Sequence, residues 1–415
     1  MSRAWIVGVG MTVFGRHLTT NLYDLAREAL DAALIDAGAE RHQIDAAFYS
    51  GVTASVLTGQ TSIPGQIVLG AIGLERIPVV NVENACASGT SAFHLAVQAV
   101  GSGAADVVLA LGAEKMNVAD KARALQLFDG GWDVSTIPEN EAALLALGEG
   151  IEPPEGSESP RPYSRFMAIY ASVCRYHMKT YGLTQRQLAA VSAKNHRHSV
   201  HNSLAQYRQP FTTDEVLAAP PITYPLTLPM CSPVSDGAAA VIVANEDGLR
   251  RLGGQRRRAV RVVASVLRTA GPRTHEPVAE STCRRAATAA YAVAALGADA
   301  IDVAEVHDAT AMGEVSVVEK LGFVGLGEGG AAAERGEFTV GGRLPVNPSG
   351  GLESKGHPIG ATGLGQLHEL VTQLRGEAGA RQVEGARIAM QENGGGLIGV
   401  DEAVVGVTIL EREQR

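Results

Sequence analysis

The chain reads as an α/β protein, a layered α/β/α/β/α body assembled from two similar βαβ-rich halves. Three observations predict this. Apolar strands alternate with helical stretches along most of the chain, the pattern of parallel or mixed sheets covered by helices. The same order of elements occurs twice. Of 415 residues, 46% are hydrophobic, 19% are charged and 48 are glycine, the composition of a close-packed globular protein with a sizeable core.

The first strand is the apolar run at 5–9, followed by a helix at 22–37 that Gly38 closes and a second strand at 44–49. Residues 77–82 form an apolar strand that turns at Cys86 into a Gly/Ala/Ser-rich helix starting near Ser88; a further strand lies at 107–111. The order then recurs as a strand at 260–266, a helix at 283–295 before Gly297, a strand at 301–306, a glycine-bearing loop, a helix at 364–374 and a strand at 387–390. Between 114 and about 227 the pattern loosens around Pro153-Pro154, Gly156-Ser157 and Pro160, with a charged helix at 184–199. Long excursions of this kind are usually lids or binding loops, so this one is expected to cover the site. Residues 253–258 are two glycines, a glutamine and three arginines, as suits an exposed connection. The expected division is therefore 1–250, carrying the covering region, and 259–415.

Composition also excludes. A net charge of −9 leaves no basic footprint for nucleic acid. The four cysteines are too scattered for a disulfide framework or a CxxC metal site, which suits a reducing cytoplasm. A strand beginning at Ala4 leaves no room for a signal peptide, and the uncharged stretch 86–105, with its Ser, Thr, His94 and glycines, reads as a buried helix rather than a membrane span. Gly8-Val9-Gly10 is a weak dinucleotide signal, since Val13 stands where a third glycine belongs.

Two stretches carry chemistry. Cys86 lies on a strand-to-helix turn, where the partial positive charge of the helix N-terminus favours thiolate over thiol. Residues 347–363 hold five glycines between 350 and 363 and two prolines around His357, a composition that fixes an irregular backbone and aims the imidazole. His307-Asp308 ends an apolar strand at the carboxyl edge where α/β proteins place their sites. His196, His198 and His201, with Lys194 and Arg197, read as a wet basic surface suited to phosphate groups; residues 196 and 198 lie about 200° apart on a helix and cannot share one metal face.

Asn84 to Gly89, Gly112 to Met116, Ser235 to Ala240, His307-Asp308 and Asn347 to Gly363 together resemble the thiolase superfamily, over the whole chain. The likeness is greatest to the sterol-carrier-protein-type and bacterial or archaeal acetyl-CoA acetyltransferase-like thiolases, which carry His-Asp where biosynthetic thiolases carry Asn-Glu. The resemblance implies the five-layer fold, acyl-CoA and coenzyme A as substrates, no tightly bound cofactor and no metal. It implies a homodimer or higher oligomer, and for several such thiolases an OB-fold, zinc-ribbon accessory protein. It implies Cys86 as acyl-accepting nucleophile and His357 as its base. His307 would hold the thioester oxygen, directly or through a water. The amides of Cys86 and a glycine of Gly394-Gly395-Gly396, taken as Gly395, would form a second oxyanion hole. Ser232 would touch the pantetheine arm.

One departure matters. Thiolases use a second cysteine at the substrate α-carbon, before the C-terminal glycines or two residues after the His of His-Asp. This chain has Gln391-Glu392-Asn393 and Ala309 at those places. Glu392 is the nearest titratable substitute. Thiolytic cleavage of a 3-oxoacyl-CoA through acyl-Cys86 is thus the expected reaction. A condensing or carbon-acyltransferase enzyme and a catalytically silent acyl-CoA-binding scaffold are the alternatives.

Overall fold

The computed structural model describes residues 3–118, 127–253, 257–271, 274–275 and 277–413; part of the covering region (119–126) and of the expected connection (254–256) therefore lies outside the described residues.

Strand β1 (Ala4–Met11) leads to helix α1 (Leu22–Ala37). Asn21 caps α1 by accepting the Asp24 amide, and Gly38, at φ 62°, ends it in the left-handed conformation. Buried Leu25, Ala26, Ala29, Leu30, Ala33 and Leu34 form its apolar stripe. That stripe lies directly on β1: a Cβ on Gly8 would sit 2.4 Å from the Ala33 carbonyl oxygen, and one on Gly10 2.2 Å from that of Ala29. The Gly8-Val9-Gly10 pattern thus records close helix–strand packing.

The first part of the chain continues through β2 (Ala46–Ser50), β3 (Val79–Val82), α2 (Ser88–Ser102) and β4 (Val107–Glu114). The covering region contains α3 (Arg165–Tyr181) and α4 (Gln185–Ser199); β5 (Gly237–Ala244) follows. Then come β6 (Val260–Thr269), α5 (Thr282–Ala294), β7 (Val303–Glu305), α6 (Ala311–Leu321), α7 (Thr362–Arg375), β8 (Ile388–Ile398) and β9 (Asp401–Arg412).

The nine strands form one hydrogen-bonded sheet in the order β3-β2-β4-β5-β1-β6-β9-β8-β7. Going inward from the left, β2 runs parallel to β4, and β5 and β1 are antiparallel neighbours. From the right, β7 runs parallel to β8, and β9 and β6 are antiparallel neighbours. Apart from β3, the two runs are mirror images in connectivity and meet at a short antiparallel seam, Ala4–Val262 to Ile6–Val260. The cores define the layers. Helix α1 packs on one face of the first run, and α5 and α6 on the outer face of the second. Helices α2 and α7 share a middle core with residues of both runs, including Val108, Val241, Val303 and Ala389. The result is α/β/α/β/α.

Local differences from expectation have physical causes. Helix α3 goes unread in the sequence although Ser164 caps it and Gly182 ends it, because its apolar residues are interleaved with Arg, Lys and His. Strand β8 runs on past 390 because Gly394, Gly395 and Leu397 continue the ladder with Val405, Val404 and Glu402. Arg258, in the expected exposed connection, is engaged by Asp36 at 2.6 Å and Glu377 at 2.5 Å.

Candidate active site

Strand β3 ends four residues before Cys86, and the intervening turn is stapled by its own polar groups. The Asn84 amide donates to Ser88 Oγ (2.8 Å), whose hydroxyl donates to the Ala85 carbonyl (2.6 Å). Ala85 takes φ 47°, an uncommon left-handed conformation for a residue with a Cβ. Strand β8 presses from the other side: a Cβ on Gly395 would lie 2.4 Å from the Asn84 oxygen and 3.0 Å from the Cys86 nitrogen. Only glycine permits that contact.

His357 is delivered by the 347–363 loop. Gly350, Gly351 and Gly356 sit at φ 105°, 60° and 114°. Asp308 is absent from the cavity wall; its carboxylate accepts the Leu352 amide at 2.8 Å and anchors this loop. Glu305 does the same through Ser349 Oγ (2.7 Å) and Lys355 Nζ (2.9 Å). The His357 amide donates to Ser235 Oγ, and His357 Nδ1 lies 2.7 Å from Thr362 Oγ1. The Thr362 hydroxyl spends its proton on the Pro358 carbonyl (3.0 Å), so it accepts from His357. This puts the imidazole proton on Nδ1 and leaves Nε2 as a lone pair.

Cys86 Sγ and ring nitrogens of His307 and His357 lie within 4.8 Å of one another. Their cavity has a volume of about 1160 Å³. Its wall takes Phe128, Leu144, Phe166, Tyr170, Val173 and Phe211 from the covering region, and Ser232, Ala309, Gly394 and Gly395 also line it. His307 Nε2 is buried without a partner, while the ring is hydrogen-bonded to the Gly394 backbone. The Ser232 amide donates to the Ala309 carbonyl at 3.0 Å.

Burial sets the resting protonation. It pushes the Cys86 thiol up to about 12, with the Glu114, Glu83 and Glu402 charges adding and the local backbone amide opposing. It lowers His307 to about 4 against the Gly394 hydrogen bond, and holds His357 well below the usual imidazole range, with His307 adding. The helix N-terminus was expected to yield a thiolate. Desolvation outweighs it, and the resting site is a thiol with two neutral imidazoles.

Glu392 is fully buried and absent from the cavity wall; its Oε2 accepts the His307 amide at 3.0 Å. Cys283, Glu392 and Glu402 form a second cluster of donor atoms within 4.8 Å; with the Cys86 set it makes up the metal-type clusters found among the described residues. Glu402 does line the cavity and carries no sequence motif. Cys174 and Cys283 are fully buried, whereas Cys231 borders the cavity.

The expected wet basic surface needs correction. Lys194, His196 and His198 are buried at 1%, 2% and 6% exposure. Lys194 pairs with Glu314 at 2.9 Å, His196 lies 3.2 Å from the Pro229 oxygen, and His198 lies 3.0 Å from that of Asn347. Acidic and carbonyl groups from distant segments neutralise what the local sequence presents as a charged face. Arg197 and His201 remain exposed.

The N-terminal domain model of thiolases matches residues 4–216 and the thiolase C-terminal domain-like model matches 268–409. The chain belongs to the thiolase family. It is 37% identical to sterol carrier protein 2 of Homo sapiens over 415 residues, covering 98% of this chain and 71% of that one. It is 38% identical to an acetyl-CoA acetyltransferase of Methanothermobacter thermautotrophicus, over 95% of this chain and 96% of that one. Benzoylsuccinyl-CoA thiolase subunit BbsB of Thauera aromatica is 32% identical over 95% of each. Among solved structures, the Ltp2-ChsH2(DUF35) aldolase superposes with a TM-score of 0.75 over all of this chain and 98% of that one, at 21% identity, a likeness of fold. As a thiolase-family member the protein is an acyltransferase, with the five-layer fold expected from the sequence.

Proposed function

We propose that the protein is an acyl-CoA C-acyltransferase that cleaves a 3-oxoacyl-CoA thiolytically through an acyl-Cys86 intermediate. The observation that carries this reading is the Cys86–His307–His357 cluster, within 4.8 Å, inside a cavity of acyl-chain size. His357 Nε2, its lone pair exposed by the Thr362 contact, takes the Cys86 proton as Sγ attacks the 3-oxo carbon. The amides of Cys86 and Gly395 stabilise the resulting oxyanion. His307 Nε2 faces the thioester oxygen, through a water or, once protonated, directly. Ser232 borders the pantetheine arm, and coenzyme A enters as co-substrate with no tightly held cofactor.

The apolar wall favours a bulky acyl group over acetyl. In this reading residues 1–250 and 259–415 are the two halves, and the four unpaired cysteines suit the cytoplasm. A homodimer is part of the reading: β3 is one of the sheet's two outer strands, and Val80 (47%) and Ile63 (55%) are exposed near it. An OB-fold zinc-ribbon accessory protein is a further part, since the solved fold neighbour is a complex with a DUF35 protein.

The test is a thiolysis screen over 3-oxoacyl-CoA esters of graded bulk, with intact-mass detection of acylated protein. Cleavage with a Cys86-linked acyl adduct, lost in Cys86→Ala, is the expected result. Condensation without thiolysis would favour a condensing enzyme, and tight acyl-CoA binding without any adduct a silent scaffold.

A further inference from the structure

Cleaving the bond between C2 and C3 leaves an enolate at C2, which needs a proton donor within reach. Ala309 supplies none, and Glu392 sits behind His307, away from the wall. Cys231 reaches the wall, but the groups that bear on it are Glu353 and Cys174. Glu402 is different. It lies at the start of β9, opposite Leu397 of β8, and its side chain reaches back over the glycines. A Cβ on Gly394 would be 2.0 Å from Glu402 Oε1, so this carboxyl occupies the space beside the residue that holds the His307 ring. Its Oε2 has no hydrogen-bond partner; Lys320 Nζ, also on the cavity wall, stands 3.8 Å away. Behind it, within 4.8 Å, are Glu392, whose Oε1 is buried and unpartnered, and Cys283.

We propose that Glu402, backed by Glu392, is the acid/base residue at the substrate α-carbon, taking with a carboxyl the role left vacant by the second thiol. Two carboxyls this close, Glu392 fully buried, cannot both ionise readily, and Lys320 offsets one charge, so the pair retains a proton at neutral pH. Burial raises both carboxyls above their usual range, in line with that count. The step balances. Sγ of Cys86 bonds to C3, its proton passing to His357; the C2–C3 bond breaks with its electron pair on C2; the Glu402 proton moves to C2. Coenzyme A then enters as the thiolate, its proton released to water; its sulfur accepts the acyl group, the Cys86 thiolate recovers its proton from His357, and the Glu402 carboxylate takes a proton from water.

The proposal rests on the acyltransferase reading, so its test separates the two. Acylation of Cys86 by a simple acyl-CoA, followed by intact mass, needs Cys86 and His357 alone. Single-turnover cleavage of a 3-oxoacyl-CoA, and exchange of acyl-CoA α-protons in D2O, need the α-carbon acid/base. Glu402→Gln should slow cleavage and exchange by about 10²-fold or more, with acylation within a few-fold of wild type and partial recovery in Glu402→Asp. Glu392→Gln should cause a smaller loss in the same two readouts. Cleavage and exchange at wild-type rates in Glu402→Gln, or an equal loss of acylation in a folded protein, would overturn the assignment. A wild-type protein that exchanges α-protons through Glu402 yet cleaves no 3-oxoacyl-CoA would instead overturn the thiolytic reading and support the assignment.

Discussion

At Cys86 two physical effects compete, and their sizes decide the state of the nucleophile. A helix N-terminus contributes about 0.3–1 kcal/mol to a nearby charge, whereas removing a thiolate from water costs several times more. The thiol pushed up to about 12 and the neutral His357 follow from the larger effect. The sign for reactivity is direct: below the thiol's own pKa, each unit of pH raises the thiolate fraction about tenfold. Iodoacetamide modification of Cys86 in the ligand-free protein, followed by peptide mapping, is therefore expected to climb steadily from pH 7 to pH 9.5 without levelling. A plateau below pH 8 would reveal a standing thiolate–imidazolium pair instead. Cys86, His307 and His357 were all legible in the sequence, because each sits in a run whose residue types serve one backbone geometry. Glu402 was not. Between Asp401 and Ala403 it has no local signature, and only the β8–β9 hairpin carries its carboxyl back to Gly394.

Elements whose burial is decided within their own length were legible, and those decided by distant segments were not. Helix α1 shows its stripe and both caps in sequence, and its bounds were read correctly. Helix α4 was placed correctly but its face was misread, since Lys194 finds Glu314 and the Val346 carbonyl far along the chain. The glycines of β8 lie against the Cys86 turn, a contact that only the folded sheet brings about. That contact gives a prediction. In Gly395→Ala the added carbon would lie 2.4 Å from the Asn84 oxygen and 2.6 Å from the Ala87 nitrogen, both backbone atoms that cannot rotate away. The turn or the strand must shift. Overpacking of this kind costs about 1–3 kcal/mol, and a displaced Cys86 amide loses its aim at the oxyanion. Acylation of Cys86 is expected to fall by about 10²-fold, the scale of one lost oxyanion donor, in a protein that still melts cooperatively. Wild-type acylation in Gly395→Ala would remove Gly395 from the proposed oxyanion hole.

At the scale of the whole molecule, two similar runs of strands are joined by a seam of three residue pairs, β1 on β6, so other contacts must hold the runs in register. One of them is Asp36, at the end of α1. Its Oδ2 accepts Arg375 from the end of α7 at 2.6 Å and the Val9 amide at 2.9 Å, while Oδ1 accepts Arg258 from just before β6 at 2.6 Å. The Arg375 side chain is 4% exposed, and it also donates to the Arg258 and Val7 carbonyls. Asp36 thus joins an outer helix, the middle helical layer and both strands of the seam. Removing it would strand a buried guanidinium, a change that costs about 3–5 kcal/mol where burial is complete and less here, since Asp36 is 19% exposed. Asp36→Ala is therefore expected to destabilise the protein by about 2–4 kcal/mol in urea unfolding. Asp24→Ala, which breaks a pair with side chains 45% and 49% exposed, should change stability by less than about 1 kcal/mol. Equal effects of the two substitutions would show that the seam does not depend on Asp36. Because Asp36, Arg258 and Arg375 do not line the cavity, acylation of Cys86 by the folded Asp36→Ala protein should proceed at the wild-type rate, separating what holds the two runs together from what they do.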